Sequence, residues 1–119
     1  MIGNHEAVTK CLEHHVCVYY VCPTHTMAVD FLDRVRLKYG AWKMQRQHRT
    51  LEFKQSESSM IITTFKFMVM TQGFVDNLRG FRGVVLYHPS VLELPNNLYR
   101  TGEFLQLAEY CNERHTWLH

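Results

Sequence analysis

Thiols and imidazoles crowd the first part of the chain: Cys11-x2-His14, Cys17 and Cys22-x2-His25 fall within fifteen residues. Such a set invites zinc, whose structural sites draw four N or S ligands, mostly as pairs from tight turns. The spacing argues otherwise. Cys11 and His14 belong to a helical pattern, while Cys17 and Cys22, five apart on a strand, point to opposite faces. Buried structural cysteines are the plainer reading, and no metal is expected. A second group forms where two strand-like segments end, with Cys22, Thr24 and His25 after one and Tyr87 and His88 after the other. Open α/β sheets bind ligands at that rim. Cys22 with His25 or His88 has the nucleophile and base of a thiol hydrolase, yet no third group is spaced to orient the base. Glu93 reaches the rim only if the loop after His88 folds back.

Arginines supply the other chemistry. Arg79 and Arg82, three apart and beside Gly80 and Gly83, suit phosphate or a partner's carboxylates, with Lys66 a possible neighbour. Residues 34–54 carry seven Lys or Arg (Arg34, Arg36, Lys38, Lys43, Arg46, Arg49 and Lys54) against Glu52 alone. A solvated helix end and exposed strand face account for that segment; a phosphate-backbone contact through Arg46 and Arg49 is the sharper alternative. Phe74, Phe81, Trp42 and Trp117 read as core or interface anchors before base-stacking platforms.

The elements that must position these groups alternate. Val8, Cys11, Leu12 and His15 share one helical face over residues 6–15. Residues 16–22 are β-branched and aromatic without polar alternation, the pattern of a strand covered on both sides, and Pro23 ends it. Ala28, Phe31, Leu32 and Val35 restore the helical spacing, with Thr24 or Thr26 as N-cap and Gly40 beyond the last turn. Residues 42–53 read as one or two exposed strands, 55–59 as a turn, and 60–70 as one buried strand or two short ones. Residues 76–83 form a short helix or structured loop, and 84–87 a further covered strand. Pro95-Asn96-Asn97 marks a loop. Phe104, Leu107, Ala108 and Cys111 give a last helix capped by Thr101, with Glu103 in its first turn. No repeat, linker or low-complexity tract appears.

Bulk properties narrow the classes. With 119 residues, 46% apolar and 20% charged, the chain suits one globular domain and neither a disordered tail nor a fibre. A net charge of +2 is too small to bind nucleic acid by field alone. No run approaches the ~18 apolar residues of a membrane span, and residues 1–10 lack the apolar stretch of a secretory signal. The expected address is therefore cytoplasmic, with reduced thiols. Helices alternating with covered strands predict an α/β class: a mostly parallel sheet flanked by helices.

The order of these pieces resembles the nucleotide-binding core of P-loop NTPases of the helicase and phage terminase kind, over most of the chain. Gly3-Asn4-His5-Glu6-Ala7-Val8 resembles the end of a Walker A motif entering its helix. Val18-Tyr19-Tyr20-Val21-Cys22-Pro23-Thr24-His25 is similar to the second strand and its Pro-Thr turn. Asp76-Asn77-Leu78-Arg79-Gly80-Phe81-Arg82-Gly83 before residues 84–88 resembles the stretch that precedes the Walker B strand. The resemblance implies a truncated RecA-like three-layer core filling residues 1–119 as a single degenerate domain. The departures bear on activity: Gly3-Asn4-His5 stands where Gly-Lys-Ser/Thr would be, and Tyr87-His88 where the family has Asp-Glu. Without that lysine and those carboxylates nothing neutralises the charge developing on a transferred phosphoryl group. No cofactor is expected. The resemblance thus implies a non-catalytic binding protein of viral kind, acting in the host cytoplasm on a protein partner from nucleic-acid-processing machinery, with nucleic acid as a second partner and no membrane. A small hydrolase of nucleotides or nucleic acid, using rim His and Cys residues, is the alternative. In the family the P-loop strand lies beside the Walker B strand, so its loss would expose the edge along residues 84–87. Either residues 60–70 move inward, or a second copy or another protein covers that edge.

Overall fold

The computed structural model describes residues 2–119. Its organising element is β1 (Val18–Cys22), which pairs in parallel with β4 (Thr63–Val69) on one side and β5 (Val84–Tyr87) on the other. Beyond β4 come β3 (Thr50–Phe53) and β2 (Lys43–Gln45), both antiparallel, giving the order β2-β3-β4-β1-β5. The class is α/β, as the alternation implies, but the sheet is mixed and not mostly parallel. The cause lies in the connections. Only residues 46–49, with the 3-10 turn Arg46–His48, join β2 to β3, and only residues 54–62 join β3 to β4. A parallel crossover needs a dozen or more residues and usually a helix, so both short links reverse the chain.

Strand periodicity divides the core in two. Val18, Tyr20 and Cys22 share a face with Phe65, Phe67, Val84, Leu86, Leu51 and Phe53, and meet α1 (His5–Glu13) and α2 (His25–Tyr39) through Ala7, Val8, Cys11, Ala28, Leu32 and Val35. On the other face Val21, Val85 and Tyr87 pack against Phe104, Ala108 and Cys111 of α4 (Thr101–Glu113) and against the 3-10 turn Phe74–Leu78. Burial of β1 on both sides explains its unbroken apolar sequence. Three differences from the sequence reading are local. α1 stops at Glu13, and His15 turns away with φ 54°. Residues 96–99 form a single helical turn, α3 (Asn96–Tyr99), where a loop is expected. Thr101 lies inside α4, its hydroxyl donating to Asn96 Oδ1, so it does not cap the helix.

β5 is the outer strand on its side, and the chain itself covers it. Asn112 of α4 offers its carboxamide to Val85: the Val85 N–H donates to Asn112 Oδ1 at 2.8 Å and Asn112 Nδ2 donates to the Val85 carbonyl at 2.9 Å. Farther along, Ile2 forms a parallel bridge to Tyr87, and Gly3 N–H donates to the Tyr87 carbonyl at 2.9 Å. Residues 63–69 do lie inside the sheet, but on the far side of β1 and not over β5. Gly83, which leads into β5, passes so close to the Cys17 carbonyl that a side chain there would collide with backbone.

Candidate functional site

One rim collects most of the candidate groups. Because β1 and β5 run in parallel, Thr24 and His25 emerge beside Tyr87 and His88 at their carboxyl ends, with His88 N–H donating to the Val21 carbonyl at 2.9 Å. The bridge to Tyr87 brings Gly3, Asn4 and His5 to the same place, and Arg49 arrives from the β2–β3 turn. Arg46 lies near Asp33 of α2 at 3.9 Å. Arg79 and Arg82 precede β5 and so occupy the opposite end of the sheet.

At the rim these side chains serve the backbone. Asn4 caps α1, its Oδ1 accepting from Ala7 N–H at 2.9 Å. Glu6 adds a carboxylate to the first turn, where an anionic ligand would have to approach. Tyr20 rises from β1 beneath Gly3 and donates its hydroxyl to the Gly3 carbonyl at 3.0 Å; a Cβ on Gly3 would lie 2.6 Å from that ring. Tyr39 and Thr9 both donate to the His5 carbonyl, at 3.1 and 2.8 Å. What remains between α1 and α2 is a mostly apolar cavity of about 130 Å³ bordered by Tyr20, Phe31 and Tyr39. Sites for drug-sized ligands measure roughly 300–1,000 Å³. Burial pushes the Tyr20 phenol up to about 12, with the nearby Cys22 adding to the shift.

Thr24 caps α2 by accepting from Met27 N–H, and His88 Nδ1 accepts from Ser90 N–H at the start of the 3-10 turn Pro89–Glu93. Tyr87 is buried; desolvation first, then the Glu109 charge, hold its phenol above the ordinary range. Arg49, with φ 48°, donates through Nε to the Phe67 carbonyl at 2.9 Å and through Nη1 to His25 Nδ1 at 3.4 Å. It fastens the β2–β3 turn to the end of β4. Cys22 is fully buried and its thiol pushed up to about 12 by desolvation, so the thiolate a hydrolase would need is absent at neutral pH.

At the far end, Arg79 is engaged by Glu103 at 3.0 Å and Asp76 at 3.8 Å, and Arg100 closes the network onto the same two carboxylates. Arg82 is exposed, and its carbonyl accepts from His115 Nε2 at 3.1 Å. Of the aromatic anchors, Phe74 is buried, Phe81 stacks on Tyr19 at 3.9 Å, and Trp117 stacks on His14 at 4.1 Å. Trp42 remains exposed beneath the Lys54 ammonium. Among the described residues no three His, Cys, Asp or Glu side chains converge as a metal site would require, and no helix is long and apolar enough to cross a membrane. Sequence reading missed Tyr20 and Tyr39 at the rim, because both sit inside apolar patterns that read as core. It also missed Asn112, a polar residue on a helix. Comparison with family models, curated proteins and solved structures finds no match to the chain.

Proposed function

We propose that the chain is a non-catalytic binding protein built on a degenerate P-loop NTPase-like, RecA-like core of the viral DNA-packaging or helicase kind. It acts in the host cytoplasm through contact with a protein of the nucleic-acid-processing machinery. The observation that carries this reading is the occupied start of α1. Asn4 takes the Ala7 N–H, Glu6 supplies negative charge, and Tyr20 fills the space beneath Gly3. A phosphate cradle needs free N–H groups, a lysine and an open approach. Gly3-Asn4-His5 brings no lysine, and the Gly3 and Ala7 N–H groups are already bonded, to the Tyr87 carbonyl and to Asn4 Oδ1. At the rim, Tyr87 and His88 offer no carboxylate to hold magnesium. The hydrolase alternative loses its nucleophile with the burial of Cys22.

Calorimetric titration of magnesium-ATP into the 119-residue chain tests the reading. No heat of binding is expected, and micromolar affinity would overturn it. Size-exclusion chromatography with light scattering then reads whether the protein that contacts it is a second copy of itself.

A further inference from the structure

α4 and the Phe74–Leu78 turn cover the β1 and β5 half of their face and reach Met68 and Met70 at the end of β4; among the described residues no helix packs over β2, β3 and the start of β4 on this side. Register fixes what it displays. Gln45, Thr50 and Lys66 form one cross-strand row, and Lys43, Glu52 and Thr64 the next. Gln45, Thr50, Glu52, Thr64 and Lys66, with His48 and Arg49 at one end, line a shallow depression of about 510 Å³, and Lys43 stands beside Glu52 at its margin. Lys43, Gln45 and Lys66 are exposed, and no ion pair among the described residues includes Lys43, Lys66 or Arg49.

We infer that this uncovered sheet face binds single-stranded nucleic acid, an inference that rests on the chain being a binding protein. Three cations against Glu52 favour a polyanion, whose condensed counterions are released on contact. Between them Gln45, Gln47 and Thr64 can both donate and accept, the pattern needed at unpaired base edges. Met68 is the one large apolar side chain lining the depression, so a protein partner would find no cluster of apolar anchors there. Three strands spaced about 5 Å apart make a strip roughly 10–15 Å wide, suited to one extended strand.

Fluorescence anisotropy with labelled oligouridylate and oligothymidylate of about 12 nucleotides, a length typical of single-strand sites, tests the inference. Either oligomer should bind, with log Kd varying against log salt at a slope of about 2 in magnitude for three phosphates neutralised. Lys43→Glu with Lys66→Glu should weaken binding at least tenfold, Lys43→Gln with Lys66→Gln less, and Arg114→Glu, just past the end of α4, should leave it unchanged; circular dichroism verifies that each variant is folded. Absence of binding to both oligomers overturns the inference, as does binding that the lysine pair does not affect. Tighter binding of a poly-glutamate peptide than of either oligomer also overturns it, in favour of an acidic protein. None of these results depends on ATP, so the inference fails separately from the non-catalytic reading.

Discussion

The Asn112 carboxamide holds both backbone groups of Val85, with bonds of 2.8 and 2.9 Å, reproducing from a helix the pairing a neighbouring strand would give. Both residues are buried, so water cannot replace either bond cheaply. Asn112→Ala leaves a donor and an acceptor unpaired and should cost about 3 kcal/mol. Urea unfolding checks this as a lowered midpoint at constant m-value, whereas a loss under 1 kcal/mol would show that water fills the gap.

Two glycines separate crowding from conformation. Gly83→Ala should abolish stable folding or lower the melting temperature steeply, because the new methyl meets the Cys17 carbonyl and the Phe81 ring. Gly73→Ala should be close to neutral, since nothing lies within 4 Å and φ is −98°. Thermal melts of the two variants provide the comparison.

The thiols should react unequally. Cys17 is exposed, whereas Cys11, Cys22 and Cys111 are buried, with the first two pushed up to about 12 by desolvation. Brief alkylation of the native protein near neutral pH should modify Cys17 alone, read by peptide mass spectrometry. Modification of Cys22 at a comparable rate would revive the hydrolase reading.

The same shifts set an alkaline limit. A raised folded pKa means that the native state keeps a proton the unfolded chain releases. The contribution from Cys11, Cys22 and Tyr20 is therefore complete below about pH 9 and lost as pH rises toward 12. Stability by urea unfolding should be flat from pH 7 to about 8.5 and fall above that. A rise across the alkaline range would contradict the burial of these groups.

Arg79 tests the exposed network. Its side chain is 64% accessible, and surface pairs of this kind contribute about 0–1 kcal/mol. Arg79→Ala should change the unfolding free energy by less than about 1 kcal/mol, and less still in high salt. A larger loss would mean that the Asp76 and Glu103 cluster carries structural load.

Much of the framework was legible because it obeys simple periods. The unbroken apolar run of β1 and the helical spacing of Ala28, Leu32 and Val35 appear where expected, with Thr24 and Gly40 at the two ends of α2. The mixed sheet was not legible, since strand direction depends on what the connections can span, and residues 42–53 carry only a weak alternation. Leu51 and Phe53 prove to be core, while Thr50 and Glu52 face outward from the α1–α2 layer. The rim was found, but its chemistry was not. Asn4 and His88 have the side chains of a site and spend them on caps, a role that geometry alone reveals, whereas the cap at Thr24 was legible from the helical spacing after it.

The capped β5 edge also determines how copies of this chain can meet. A filament made by adding strand to strand requires two free edges on every subunit, and at β5 both Val85 and Tyr87 already have partners. Among the described residues only β2 offers an open side, and it is three residues long with an exposed lysine. Joining β2 to β2 uses that side in both copies at once, so growth by this route halts at a pair and a fibre cannot propagate.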